Sequence, residues 1–305
     1  MGSIKIGSTA VKKVFIESTP IKKVYVGSTL IWTAPSPVLT RIGTYTLGSS
    51  SRGITLLKDG NYAATDWSNA CVRVFSSAGA LKYSFGSSGT GDSQFTNPYG
   101  ICQDKDGYIY VTDWRGQSAS WYLRKLKYTS TALTYVSKLQ MPSGSGHQIS
   151  YNTTRDRLIV SCYGGGQVVQ VPRDLSSYIS LASVSLQIGS TMTTDGKTLY
   201  YTGYYGTIKK STFASASDTT ASSTETIYSG GASGSTQGIA LSGDNTYLVY
   251  VDNTNKRIQK RIIATGAEET VASDIFAFSI MNCGGDTFVF TGGASDSTFL
   301  YKLEL

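Results

Sequence analysis

Charge is scarce in this 305-residue chain: Asp, Glu, Lys and Arg together make up 15% of it, against the roughly 25% usual for globular proteins. Glutamate occurs only five times and histidine once, at His147. With 33 glycines and 6 prolines spread along the sequence and few strong helix formers, an uninterrupted helix has little room, and an all-helical fold is excluded. The longest apolar run, Tyr247–Val251, falls far short of the roughly 18 residues of a membrane span, and the N-terminus lacks the apolar core of a signal peptide. We therefore expect no membrane insertion, and synthesis in the cytoplasm without secretion by a signal peptide. A single histidine excludes a metal site built from histidines. Any Ser-His-Asp or Cys-His mechanism would depend on His147, and no G-x-S-x-G stretch is present. The stretch DKDG at 104–107 reads as a hairpin turn, because an EF-hand loop needs Glu at its twelfth position, where Arg115 stands. The four cysteines, Cys71, Cys102, Cys162 and Cys283, match no zinc or redox spacing and are expected as reduced, buried thiols. No cofactor is expected.

The formal net charge of +7 is unevenly placed. Residues 1–32 carry five lysines against Glu17, so the remaining chain is close to neutral. A nucleic-acid surface normally clusters Lys and Arg on one domain. Only Lys256, Arg257, Lys260 and Arg261 come close, and they read as a solvated strand face, which makes nucleic acid an improbable partner.

The first 32 residues contain their own repeat. VKKVFIESTP (11–20) is followed by IKKVYVGSTL (21–30), after a partial copy, SIKIGSTA (3–10). Each copy is a short β-branched and aromatic run ending in a Ser-Thr step, which predicts a meander of three short strands. So small a module cannot bury enough surface to be stable alone. Val14, Ile16, Val24, Val26, Ile31 and Trp32 are the candidate attachment residues that a partner would cover. Residues 33–38, with Pro35 and Pro37, read as a short stiff linker.

From residue 39 a longer period sets in. Apolar strand starts recur at Ile54, Ile101, Ile149, Met192, Ile239 and Ile280, about 45 residues apart, and six such units fill the chain to Leu305. A polar turn follows each start: Asp59-Gly60, Asp106-Gly107, Arg155-Asp156, Asp195-Gly196, Asp244-Asn245 and Gly285-Asp286. Gly, Asn and Asp tolerate the positive φ that such turns demand. Second strands then read NYAATD, YIYVTD, RLIVSC, TLYYTG, YLVYVD and TFVFTG. This pattern predicts an all-β, six-bladed β-propeller over residues 39–305. The last unit ends after its third strand, whereas residues 39–47, LTRIGTYTL, form an orphan strand ahead of the first unit. We expect that strand to complete the last blade and close the ring.

Two resemblances add to this reading. The stretch from Gly79, GALKYSFGSSGTGDSQFTNPYGICQDKDGYIYVTDW, resembles the NHL repeat in its Phe85-Gly86, Gly89, Gly91, Gln94-Phe95, Pro98, Gly100-Ile101, Asp106-Gly107, Tyr110-Val111 and Asp113. This covers residues 50–115, and later units share only the period. The decapeptide repeat resembles IKKVYVGST-type segments of tailed-bacteriophage structural proteins. The first resemblance implies a propeller and leaves function open, since NHL-like propellers include RNA binders, a lyase and plain interaction modules. The second implies a virion component that docks to other virion proteins through its N-terminal module.

In a propeller of this order, the segment leading into each innermost strand and the one leaving each second strand share one face. The first set holds Arg52, Tyr99 and His147, with Gln237 near the corresponding place in the fifth unit. The second holds Asp66-Trp67, Asp113-Trp114, Tyr163, Tyr204-Tyr205 and Asp252-Asn253. Aromatic faces stack on sugar rings while Arg, Gln and Asn read hydroxyls, so Arg52, Trp67, Tyr99, Trp114, His147, Tyr163, Tyr204, Gln237 and Asn253 are the candidate ligand-binding residues. The competing reading is that Trp and Tyr after the second strand cover the blade edge and that each Asp caps a turn. The expected function is a virion protein in a tail fibre, tail or head appendage. Its propeller would bind host-surface polysaccharide or a neighbouring virion protein. The alternatives are a lyase- or hydrolase-type propeller enzyme, which His147 alone would have to serve, and an RNA-binding NHL module, which the near-neutral body disfavours.

Overall fold

Strands form wherever β-branched and aromatic residues run between turn residues, and no helix occurs among the described residues, so none is long and apolar enough to cross a membrane. A computed structural model describes residues 36–43, 51–114, 120–183, 189–203, 206–229, 236–293 and 299–305, with the strand segments 5–6, 9–10, 14–16, 19–21, 23–26 and 29–33. The chain divides into two compact units, Met1–Val38 with Leu305, and Leu39–Glu304.

The strand layout of the first unit differs from the meander expected. Each repeat is a separate antiparallel hairpin: Lys5–Ile6 with Thr9–Ala10, Val14–Ile16 with Thr19–Ile21, and Lys23–Val26 with Thr29–Thr33. The reason lies in the Ser-Thr step. Thr9, Thr19 and Thr29 each open a returning strand, as suits a β-branched residue, so each repeat supplies the start of a second strand as well as the first. Of the attachment candidates, Val14 stands opposite Ile21, Ile16 opposite Thr19, Val24 opposite Trp32 and Val26 opposite Thr29. Ile31 lies within the strand Thr29–Thr33.

The second unit is a six-bladed β-propeller, each blade a four-stranded antiparallel sheet. From axis to rim, blade one is Ser51–Leu56, Tyr62–Asp66, Cys71–Phe75 and Leu81–Phe85. Blade two is Pro98–Gln103, Tyr108–Asp113, Ser120–Thr129 and Ala132–Ser143. Blade three is Ser145–Asn152, Arg157–Tyr163, Gln167–Pro172 and Ile179–Ser183, and blade four is Ser190–Met192, Thr198–Thr202, Thr207–Thr212 and Ser223–Ser229. Blade five is Thr236–Leu241, Tyr247–Asp252, Arg257–Ile262 and Glu268–Ser273. Blade six takes Phe276–Asn282, Thr287–Gly293 and Phe299–Glu304 from the end of the chain, and its rim strand is Val38–Ile42. Of the expected closing strand 39–47, residues 44–47 lie outside the described residues.

The turns between first and second strands explain the punctuation read from the sequence. Gly60, Gly107, Asp156, Gly196, Asn245 and Gly285 all have φ between +52° and +89°, the left-handed region open to Gly and tolerated by Asn and Asp. The core lies between blades rather than within one. Val72, Val74 and Ala63 of blade one pack with Ile101, Ile109 and Val111 of blade two, and Leu158 and Val160 of blade three with Tyr110 and Leu123 of blade two. Second strands are therefore covered on both faces, as Tyr62–Asp66 is along its whole length. All four cysteines are free thiols, Cys71, Cys102 and Cys162 being buried. Burial pushes the Cys162 and Cys283 thiols up to about 12.

Candidate functional site

The innermost strands carry the site because they are bulged. The register against the second strand shifts between Ser51 and Ile54, Pro98 and Ile101, Gly146 and Ile149, Thr236 and Ile239, and Ala277 and Ser279. A bulge breaks the in-out alternation and re-aims a side chain. Arg52, Tyr99, His147, Gln237 and Phe278 fall within these shifts, each two residues before the strand's core isoleucine. The backbone approach is close at two of them: a Cβ on Gly53 would lie 2.5 Å from the Tyr99 carbonyl oxygen, and one on Gly100 2.0 Å from that of His147. Only glycine fits there.

These side chains form a continuous arc. The Arg52 guanidinium lies 3.7 Å above the Phe278 ring centroid, 5.1 Å from Trp67 and 5.7 Å from Tyr99. Trp67 meets Trp114 at 4.7 Å and the Tyr99 ring edge-on at 5.7 Å. Tyr99 stacks on His147 at 4.1 Å, and His147 on Tyr163 at 4.8 Å. Six of the nine predicted ligand residues thus come together across blades one to three, joined by Phe278 from blade six. Phe278 was not foreseen, although its place two residues before Ile280 matches that of Arg52 before Ile54. Tyr204 and the side chain of Gln237 lie outside the described residues.

Much of the hydrogen-bonding capacity in the arc is unspent. Arg52 Nε, His147 Nδ1 and Trp114 Nε1 are buried without a partner. Burial depresses the Arg52 pKa. The imidazole has both faces covered by phenol rings, and burial together with the Arg52 charge holds it at about 3, so it is neutral at pH 7. Burial lifts the Tyr99 phenol to about 12, against the opposing pull of Arg52.

The carboxylates beside the arc are committed to the fold. Asp66 accepts from Arg73 Nε at 2.6 Å and from Asn69. Asp113 is sealed with Arg124, accepting from Nε at 3.2 Å and Nη2 at 3.1 Å and from the backbone N–H groups of Thr96 and Asn97. Burial nonetheless raises the Asp113 pKa. These aspartates follow the turn-capping reading, and a carboxylate pair across blades one and two is not available for chemistry. Asn253 is a correction as well. Its side chain donates to the Ala277 carbonyl at 2.7 Å and accepts from the Ala277 N–H at 3.0 Å, so it ties blade five to blade six instead of facing a ligand.

That tie belongs to a series. Thr65 Oγ1 accepts from Gly53 N–H and donates to the Tyr99 carbonyl at 2.6 Å. Thr112 does the same with Gly100 and His147, and Thr202 with Gly189 and Thr236. Ser161 bonds Ser190 at 2.7 Å, and Thr291 reaches the Ser51 carbonyl. Hydroxyls in the second strands thus anchor the backbone of Tyr99 and His147 from behind, which fixes the arc.

Along the axis, Gln148 reaches across from blade three. Its amide donates to the carbonyls of Ile239 at 2.7 Å and Ile280 at 3.2 Å, and accepts from the Ile239 N–H at 3.1 Å. Toward the other end lies a cavity of about 560 Å³ lined by all six innermost strands, including Ser150, Asn152, Thr191 and Asn282, and by Asn245 from the turn of blade five. Among the described residues no cluster of three His, Cys, Asp or Glu side chains is placed to hold a metal. The basic residues of blade five are engaged: Arg257 pairs with Asp252 and Arg261 with Glu268, while Lys256 lies over Phe276 and Lys260 over Tyr247.

No protein-family model matches the chain, and no curated protein sequence matches it. Solved structures do. The PQQ-bound form of aldose sugar dehydrogenase from Streptomyces coelicolor superposes with a TM-score of 0.61 at 12% identity, over 88% of this chain and 99% of that one. A catalytically inactive virginiamycin B lyase from Staphylococcus aureus, with quinupristin, superposes with a TM-score of 0.59 at 14% identity, over 85% and 81%. At such identities the similarity establishes the propeller fold.

Proposed function

We infer that the protein is a structural component of a bacteriophage virion, in a tail fibre, tail or head appendage, which attaches through residues 1–32 and presents its propeller to bind glycan on the host surface. The observation that carries the binding reading is the arc itself: flat rings at the mouth of the axis with Arg52, His147 and Trp114 holding unspent hydrogen-bonding groups. Sugar rings lay their C–H faces on aromatic rings and offer hydroxyls to such groups. The attachment reading is supported by the tandem repeat and its phage-like wording, and by the three small hairpins, since an isolated two-stranded hairpin is marginal in water and needs a partner surface. A lyase-like reading is less well supported. The one imidazole is clamped between two phenols with its pKa at about 3, which makes it a weak base at neutral pH.

Binding of the labelled full-length protein to host cells tests this. Trp67→Ala combined with Trp114→Ala is expected to leave the circular-dichroism spectrum unchanged and to weaken binding about tenfold or more, given roughly 1–3 kcal/mol per stacking ring. Unchanged binding with an intact fold would show that the two rings only cover the blade edge.

A further inference from the structure

Arg52 differs from the other described arginines of the propeller interior. Arg73, Arg124, Arg173, Arg257 and Arg261 each meet a carboxylate. Arg155 donates to the carbonyls of Gly196 and Asp218 and to Gln170. Arg52 has no ion pair or hydrogen bond among the described residues; its neighbours are the rings of Phe278, Trp67 and Tyr99, and its Nε is buried and empty-handed. A half-buried cation that lacks an anion is costly for a fold to keep. A guanidinium is a planar fork matched to a carboxylate, and its charge is strongest toward an anion when ring faces exclude water around it.

Resting on the glycan reading above, we propose that the ligand is acidic: Arg52 receives the carboxylate of an acidic sugar residue, whose ring lies against the half-exposed rings of Trp67, Trp114 and Tyr163. The acid supplies the missing counter-charge and partners the buried Nε. Neutral His147 offers its unpartnered Nδ1 to a neighbouring hydroxyl. Among the described residues of the mouth, Asp66 and Asp113 are taken by Arg73 and Arg124, so the selectivity for an anion proposed here rests on Arg52.

The test is a glycan array that prints each acidic saccharide beside its carboxyl-reduced, neutral counterpart, together with sulfated saccharides, and probes them with the full-length protein and its Arg52→Gln and Arg52→Lys variants. The expected result is binding to carboxylated members, weakened at least about tenfold by carboxyl reduction and by Arg52→Gln, with partial retention by Arg52→Lys, which keeps the charge and loses the fork. Equal binding to neutral counterparts, unaffected by Arg52→Gln, would overturn the acidic-sugar assignment and leave the glycan reading standing. Binding confined to sulfated members would replace the carboxylate with a sulfate ester. Absence of binding to any saccharide would remove the glycan reading itself. Thermal unfolding without ligand separates a structural role: Arg52→Gln should melt at or above the parent temperature because an unpaired cation is gone. A fall of more than about 5 °C in both variants would mark Arg52 as a residue that holds the fold and overturn the assignment.

Discussion

At the scale of single residues, the mouth of the propeller is built from groups held in unfavourable company, and His147 makes this measurable. Its imidazole lies between Tyr99 and Tyr163 with the Arg52 cation nearby, and its pKa sits at about 3 in place of the usual 6.5. The folded protein therefore keeps a neutral imidazole at pH values where the unfolded chain protonates it. Between about pH 6.5 and 3 the unfolded state binds more protons, so stability must fall as pH falls through that window, by up to about 1.4 kcal/mol per pH unit for one group. Because His147 is the only histidine in the chain, the upper part of the window, above the range where carboxylates titrate, isolates it. Urea unfolding at pH 7, 6 and 5 should show a declining free energy for the parent protein and a nearly flat profile for His147→Phe, which keeps the stacked ring. Parallel profiles would mean that the imidazole is protonated within the fold.

Elements are joined through second-strand hydroxyls, which explains how six sheets become one rigid ring without a large polar core. Thr112 serves as acceptor for its own blade and donor to the next, at Gly100 N–H and the His147 carbonyl. Thr112→Val keeps the shape and strands the buried Gly100 N–H, at a cost of about 1–3 kcal/mol. Thr112→Ser should recover most of it. Equal stability of all three proteins by urea unfolding would show that the blades are held by apolar packing alone. Blade five makes the same point in reverse: Val251 stands where the others carry Thr or Ser, and Asn253 takes over the tie through Ala277. That substitution accounts for what the sequence could reveal. The period and the Asp-Gly-type turns were legible because both are local: a 45-residue repeat and a positive φ leave their mark on adjacent residues. The ring of Arg52, Tyr99 and His147 was legible from its phase with Ile54, Ile101 and Ile149, and Phe278 follows the same phase before Ile280. What Asn253 binds was not, because its partner is 24 residues away and is a backbone amide, which carries no residue signature. That Arg52 meets no carboxylate among the described residues was equally hidden, since the sequence offers acids at Asp66 and Asp113 that only the fold assigns to Arg73 and Arg124. The hairpins of the first unit were misread because a Ser-Thr step serves equally as the end of one strand and the beginning of the next.

For the whole molecule, the decisive feature is that blade six takes strands from both ends of the chain. Gln148 bridges the axis from blade three to blades five and six, but it cannot substitute for a missing rim strand. Val38–Ile42 supplies that strand. Ile42 is buried with Ile54, Tyr62 and Phe75 of blade one and Val289 and Leu300 of blade six, and the Arg41 guanidinium lies 3.4 Å over the Phe299 ring. Gly43 and Gly79 approach so closely that a Cβ on either would lie 2.8 Å from the other's Cα. Removing the strand exposes the edge of Phe299–Glu304, uncovers Ile42's partners at about 1.5–3 kcal/mol for that side chain alone, and opens the packing between blades six and one. At about 2–4 °C per kcal/mol for a domain of this size, the combined loss amounts to a fall of about 10 °C or more. Deleting residues 1–36 spares all of these contacts and should leave a cooperative transition close to that of the full chain. Deleting residues 1–43 should lower the melting temperature by that amount or abolish cooperativity. If both deletions melt together, the ring is held shut by the interface between the inner strands of blades six and one, and the rim strand from the N-terminal side is dispensable.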